Sequence, residues 1–381
     1  MSTIVGPGAH ANLAACSRTE HPMATSRKTP ASSRRRQAPP HLDLALQGGG
    51  SHGAFTWGVL DRLLGEDDLV ISGVSGTSAG ALNAAVLASG FASGGRERAR
   101  AALASFWSDV GACGPCFGGG VPQLPGSGIA GFNLDRNPFF AWANQFMQLL
   151  SPYQFNPYDL NPLREITARH VDIDALRRGP VAVFVTATAV RTGQPRVFTG
   201  RDLSLDALMA SACLPHLFQA VEIGGQPYWD GGYSGNPAIW PLVYNTPALD
   251  ILLVKINPLV RPGTPETAEE IADRVNEITF NAGLVSEMRA IAFVQRLVAE
   301  GRVDPGSYKN LRLHMIGDEK GLAPLHPSSK LNTDREFLES LRDLGRASAN
   351  RWLQAHREDI GKRSTLDIAR TFLAPRDGLG A

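Results

Sequence analysis

Cysteine is scarce in this chain: Cys16, Cys113, Cys116 and Cys213 are the only four in 381 residues. That argues against a disulfide-stapled scaffold. Cys113-Gly114-Pro115-Cys116 has the spacing of a thioredoxin-like redox pair. Such a pair should follow a strand and open a helix; this one follows a helical stretch, Arg98–Val110, and enters a Gly/Pro-rich loop. Long apolar runs are missing as well. No stretch of about 18 apolar residues exists, so no transmembrane helix is expected. Net charge is nearly absent, at +1 for the whole chain, which gives no whole-chain case for a nucleic-acid partner.

Hydrophobic residues make up 43%, enough for a sizeable core in one large domain, or a domain with a lid. Charge is unevenly distributed. Residues 1–40 hold six basic side chains and one acidic, leaving 31 basic against 35 acidic in the remainder. This basic tail is rich in Ala, Ser, Pro and Arg and has no apolar period, so it reads as disordered. A solvated extension is the favoured reading, and contact with an anionic membrane the alternative. Arg34–Arg36 hints at a twin-arginine signal, but Pro39, Pro40, His41 and Asp43 stand where its apolar segment should be. A cytoplasmic location is expected, with peripheral membrane contact as a further option.

From residue 41 to 262 short apolar runs alternate with helical stretches. Leu42–Leu46, Leu69–Val74, Val181–Val190 and Asp250–Ile256 read as strands, the β-branched third run as a buried one. Ala54–Leu64, Ala79–Ser89 and Leu203–Ser211 read as helices. The alternation predicts an α/β fold with a mostly parallel sheet covered by helices. Residues 112–162 interrupt it. Gly111–Gly131 is rich in Gly and Pro, and eight of the chain's 28 aromatics follow between Phe132 and Tyr158. Phe139, Phe140 and Phe146 fall on or beside one helical face. Two readings stand evenly: a lid or acyl-chain channel, and a helix packed on the core. Residues 263–381 read as a mostly helical extension packed on the domain at 41–262. In it Ile271, Val275, Ile278, Met288, Ile291 and Leu297 are spaced as one apolar face, and Thr333 with Glu336 as a capping box.

Two glycine-framed loops carry the chemistry. Gly48-Gly49-Gly50-Ser51-His52-Gly53 follows the first strand, and Gly76-Thr77-Ser78-Ala79-Gly80 the second. The second has the form of a nucleophile elbow. Gly76 and Gly80 permit a sharp strand-to-helix turn, Ala79 offers a backbone N–H beside Ser78, and the helix dipole favours negative charge there. The first loop supplies further amides, since glycine permits the φ angles that a cradle needs. A dinucleotide site is the competing reading of the first loop, with Glu66, Asp67 or Asp68 near the ribose-binding distance. It leaves Gly76–Gly80 unexplained, and the glycine spacing is not the dinucleotide one.

Serine needs a base. An α/β-hydrolase would show an acid and then a histidine after the serine, and His314, His326 and His356 are available, with His216 a weaker option. The acid that stands out is Asp230, in Tyr228-Trp229-Asp230-Gly231-Gly232. At an ordinary pKa of about 3.9 it is a weak base, so the cradle must do much of the stabilising. On composition alone a turn aspartate making local backbone bonds is the favoured reading.

Taken together and in this order, Gly48–Gly53, Gly76–Gly80 and Asp230-Gly231-Gly232 resemble the patatin-like phospholipase family. Ser211-Ala212-Cys213-Leu214-Pro215 ahead of Phe218 resembles a fourth segment, and the likeness spans about residues 42–260. The resemblance implies a three-layer α/β/α fold, a Ser–Asp dyad without histidine, metal or cofactor, and lipid acyl esters as substrates. It implies Ser78 as nucleophile, Asp230 as base, and the amides of the loop (Gly48, Gly49, Gly50, Ser51, Gly53) as oxyanion hole, with Gly76, Ala79 and Gly80 supporting the elbow. His52 departs from the Lys or Arg that family members often carry; it either places positive charge near a headgroup or shapes the loop. The expected function is a phospholipase A or lysophospholipase-type esterase. A catalytically silent lipid-binding or regulatory protein and an acyltransferase using the same dyad are the alternatives.

Overall fold

The computed structural model describes residues 39–113, 128–136, 150–304 and 306–374. The basic tail, Cys116, Phe139, Phe140 and Phe146 lie outside the described residues. Pro39–Ala381 clusters as one compact unit.

Its centre is an eight-stranded sheet in the order β5-β6-β3-β2-β1-β7-β8, with β4 also paired to β3. The strands are β1 His41–Leu46, β2 Val70–Thr77, β3 Ala182–Ala189, β4 Pro195–Thr199, β5 Val221–Ile223, β6 Gln226–Asp230, β7 Asp250–Val254 and β8 Arg312–Ile316. The pairs linking β3, β2, β1, β7 and β8 are parallel. The pairs of β3 with β4 and β6, and of β5 with β6, are antiparallel. The central strands are buried along nearly their whole length, as Leu42, Leu44, Leu46, Val183, Val185 and Leu252 show. Their near-continuous apolar runs follow from helices covering both faces.

The main helices are α1 Gly53–Leu63, α2 Ala79–Ala112, α3 Pro162–His170, α4 Ile173–Arg178, α5 Leu205–Ser211, α6 Trp240–Asn245, α7 Ala268–Ala299 and α8 Arg335–His356. The two helical stretches read before and after Ser89 form one run, α2, broken at Gly94 and Gly95; Gly95 has φ +71. One core joins α1, α2, α5 and α8 to one side of the sheet. A second, smaller core packs α6 and α7 on the other side.

The mostly helical C-terminal third also carries one strand of the sheet, residues 312–316. Two expectations change. The apolar face of α7 divides: Met288 is buried with Phe280 and Leu284, while Ile271, Val275 and Ile278 are about half exposed. The α8 cap is Asp334, whose side chain accepts from the Phe337 N–H at 3.1 Å, rather than Thr333. An aspartate at that position satisfies one of the unpaired amides that open a helix.

Candidate active site

Parallel strands deliver their C-terminal ends, and the loops beyond them, to one edge of the sheet. β1 runs into Gly48–Gly53, and β2 runs into Ser78 and α2. The strands are in register, Leu46 beside Gly76, so the two loops emerge side by side.

Ser78 has φ 54 and ψ −127, a region that an L-residue occupies only at a cost of order 1–3 kcal/mol. The surroundings hold it there. Its N–H donates to the Ser211 hydroxyl at 2.9 Å, and that hydroxyl donates to the Thr186 carbonyl at 2.6 Å. The elbow requires glycine for lack of room: a Cβ at Gly76 would collide with the Gly80 backbone, and one at Gly80 with the Leu46 carbonyl. A Cβ at Gly48 would sit 2.6 Å from the Ser78 Cβ, and one at Gly53 would sit 2.7 Å from the Ala79 Cβ. The two loops are therefore in direct contact.

Asp230 ends β6 and is fully buried. Its N–H donates to the Cys213 carbonyl at 2.7 Å, and its Oδ1 accepts from the Gly232 N–H at 2.7 Å. Its Oδ2 is sealed from solvent without a well-aligned hydrogen bond. The Ser78 hydroxyl is near enough to this carboxylate to act on its charge, although Oδ2 forms no hydrogen bond. Burial pushes the Asp230 pKa up to about 6, against the smaller opposing effects of Ser78, the Gly232 amide and Lys330. A base with this pKa is better matched to neutral pH than an ordinary aspartate. Gly231 lets the chain pass against the Thr186 carbonyl.

The cradle divides by where its amides point. The Gly48 N–H donates to Asn236 Oδ1 at 2.6 Å, and the Gly53 N–H turns back to the carbonyls of Gly50 and Ser51. Neither is free for an oxyanion, which corrects the expectation for these two positions. The amides of Gly49, Gly50, Ser51 and Ala79 make no hydrogen bond among the described residues. Behind them stands a buried amide network. Gln47 Oε1 accepts from the amides of Ile256 and Asn257, and Asn257 Nδ2 donates to the Gly48 carbonyl at 2.7 Å. This network ties down the loop, and sequence reading missed it because Asn236 and Asn257 lie some 200 residues away.

His52 does not carry charge. It is buried, with Nε2 2.8 Å from the Ser329 hydroxyl, and its ring packs edge-on against Phe337. Desolvation, reinforced by Lys330 and Arg261, lowers its pKa to about 3. It shapes the loop, and the reading of a positive headgroup contact is set aside.

The other histidines are engaged elsewhere. His314 lies between Asp250 and Thr365, His326 on Asp135 and His356 on Asp359. His216 is exposed. No hydrogen bond among the described residues joins a histidine to Ser78.

A cleft opens over Ser78. α2 lines it with Leu82, Phe106, Trp107 and Val110, and the 212–218 segment with Ala212, Leu214, Leu217 and Phe218. The fourth sequence segment thus both holds the backbones of Ser78 and Asp230 and forms a wall. Leu163, Lys330, Leu331 and Thr333 complete the lining. Such a mostly apolar cleft suits an acyl chain. Among the described residues no group of three or more His, Cys, Asp or Glu could hold a metal ion, and no helix is long and apolar enough to cross a membrane.

The sequence comparison agrees with this architecture. The family model described as patatin-like phospholipase matches residues 44–248, and the chain belongs to that family. Membership places it among lipid hydrolases. No curated protein matches the chain. Among solved structures it is similar to VipD from Legionella pneumophila, at 14% identity and TM-score 0.39, covering 88% of this chain and 73% of that one. It is also similar to the type III effector protein ExoU, at 18% identity and TM-score 0.29, covering 83% of this chain and 53% of that one. ExoU in its complex with SpcU from the type III secretion system of Pseudomonas aeruginosa matches at 15% identity and TM-score 0.31, with the same coverage.

Proposed function

We propose that the protein is a lipid acyl hydrolase of the phospholipase A or lysophospholipase type, acting through a Ser78–Asp230 dyad. The observation that carries this reading is a strained serine on the floor of an apolar cleft, facing a buried carboxylate whose free oxygen has no other aligned partner.

Asp230 Oδ2 takes the Ser78 hydroxyl proton as Oγ attacks the ester carbonyl. The negative charge that develops on the carbonyl oxygen is met by amides of Gly49, Gly50, Ser51 and Ala79, with the α2 dipole behind the last. Collapse of the tetrahedral intermediate expels the alcohol, which takes the proton from Asp230, and leaves an acyl-Ser78 ester. Water then loses a proton to Asp230 while attacking that ester, releasing the fatty acid and returning the proton to Ser78. Residues 41–262 form the catalytic domain on this reading, with residues 112–162 as its lid or acyl channel and 263–381 packed against it.

The test is cleavage of a short-chain p-nitrophenyl ester and of phospholipid vesicles by Ser78→Ala and Asp230→Asn. Each variant should lose at least about 10³-fold in kcat, as removal of a nucleophile or its base does elsewhere. A folded variant that keeps activity would overturn the dyad. A fluorophosphonate that labels Ser78 in the native protein separates an enzyme from a silent lipid binder. Product analysis with added alcohol separates hydrolysis from acyl transfer.

A further inference from the structure

Ser78 and Asp230 come from strands that are not neighbours. β2 ends at Thr77 and β6 at Asp230, and β3 lies between them in the sheet. Adjacent strands stand about 4.8 Å apart, so the two strand ends are separated by roughly twice that distance. A small shift of either end changes how the two side chains meet. One short stretch of chain, Ser211-Ala212-Cys213, is hydrogen-bonded to both ends.

Ser211 is the last residue of α5 and is fully buried. Its hydroxyl accepts from the Ser78 N–H at 2.9 Å and donates to the Thr186 carbonyl of β3 at 2.6 Å. A hydroxyl can accept and donate at once, which an alanine side chain cannot. The bond falls on the residue with φ 54, the strained turn that carries the nucleophile. Two residues on, the Cys213 carbonyl accepts from the Asp230 N–H at 2.7 Å. Cys213 is itself buried, and its thiol donates to the Gln219 carbonyl at 3.0 Å. Asp230 has a second tie to β3, because the Thr188 hydroxyl donates to its carbonyl at 2.8 Å. Loss of the bracket is therefore felt first at Ser78.

We propose that Ser211 is a positioning residue for the nucleophile: its hydroxyl, braced on β3, holds the Ser78 backbone in its positive-φ turn, and so fixes where Oγ stands relative to Asp230. The proposal rests on the Ser78–Asp230 reading. Ser211 touches neither substrate nor the reacting atoms and acts through Ser78 alone. Its bond also occupies the Ser78 N–H, which keeps that amide out of the cradle and leaves the developing negative charge to Gly49, Gly50, Ser51 and Ala79. Ser211→Ala removes both the acceptor and the brace. The Ser78 N–H then loses its partner, and the strained turn loses one of the contacts that maintain it.

The experiment measures kcat and KM for p-nitrophenyl butyrate, the rate at which a fluorophosphonate labels Ser78, and the melting temperature, in wild type and Ser211→Ala. The kcat and the labelling rate should each fall about ten- to hundredfold, the cost of displacing a reacting group by a fraction of an ångström to one ångström. KM should change by less than about twofold, because the apolar walls of the cleft are untouched. The acid limb of the pH profile should stay in place, since no charge near Asp230 is altered. Ser211→Cys, a weaker donor and acceptor of similar size, should fall between the two proteins. Should Ser211→Ala fail to fold, Ser211→Cys reads the same loss at smaller size. A lower melting temperature with unchanged kcat and labelling rate per folded molecule would overturn the proposal in favour of a purely structural serine. A loss carried by KM alone would overturn it in favour of a wall residue. Failure of the fluorophosphonate to label Ser78 in the wild type would instead remove the dyad reading itself, whatever Ser211 does.

Discussion

At the scale of single residues, two buried aspartates are shifted in opposite directions, according to the hydrogen bonds that meet them. Asp230 is buried with too few hydrogen bonds, so its pKa rises. A carboxyl whose folded pKa lies above its unfolded value of about 3.9 binds more protons in the native state, so stability falls as pH rises from about 4 to about 6. Asp230→Asn removes that penalty. It should leave thermal stability at pH 8 unchanged or raised, by up to on the order of 2 kcal/mol, while abolishing ester cleavage. A melting series of the two proteins at pH 5 and pH 8 checks the sign, since the gap should be larger at pH 8. For the wild type, kcat/KM should fall below about pH 6 as Asp230 takes up its proton. Asp250 is the counter-example. Its pKa lies near 2: burial would raise it, but hydrogen bonds from His314, Arg312 and the Gly361 amide outweigh burial. It contributes stability that is present above about pH 4 and lost as pH falls toward 2. Asp250→Ala leaves Arg312 and His314 without their partner. It should destabilise by about 3 kcal/mol in urea unfolding, with turnover per folded molecule retained, because the pair lies at the N-terminal ends of β7 and β8, away from Ser78.

At the scale of elements, four of the eight strands were legible and the helix partners were not. β1, β2, β3 and β7 fall within a few residues of their sequence-based positions because buried parallel strands are continuous apolar runs. α1 was legible as a helix through Phe55, Val59, Leu60 and Leu63, but ten of its eleven residues are buried. It lies between the sheet and α8, so its periodicity says little about its surroundings. The contact with α8 uses two glycines: a Cβ at Gly58 would meet the Arg342 carbonyl, and one at Gly345 would meet the Phe55 carbonyl. Asp61 of α1 is gripped by Arg100 of α2 and Arg346 of α8. Gly345→Val should push the helices apart and cost about 3 kcal/mol, visible as a lower melting temperature. Within the site, the elbow and Asp230 were readable because local motifs announce them. The distribution of free amides was not, because it depends on Asn236 and on a turn-back at Gly53 that no local pattern encodes. His52 was ambiguous for the same reason, since its neutrality follows from burial and then from Lys330 and Arg261, all set by chain more than 200 residues on.

At the scale of the whole molecule, the region matched to the family ends at residue 248, yet the site does not. β8 completes the sheet beside β7, and the 327–333 segment brings Lys330, Leu331 and Thr333 to the cleft. A chain ended at residue 262 would keep Ser78, Asp230 and the whole cradle sequence. It would also leave β7, Asp-Ile-Leu-Leu-Val, as an open sheet edge with a row of unpaired backbone groups and apolar side chains on both faces. Such an edge is a template for pairing with another copy. The truncated chain should therefore precipitate or form oligomers on size-exclusion chromatography. The last third of the sequence thus covers the apolar edge of β7 with β8, and the same stretch of chain supplies Lys330, Leu331 and Thr333 to the wall of the cleft.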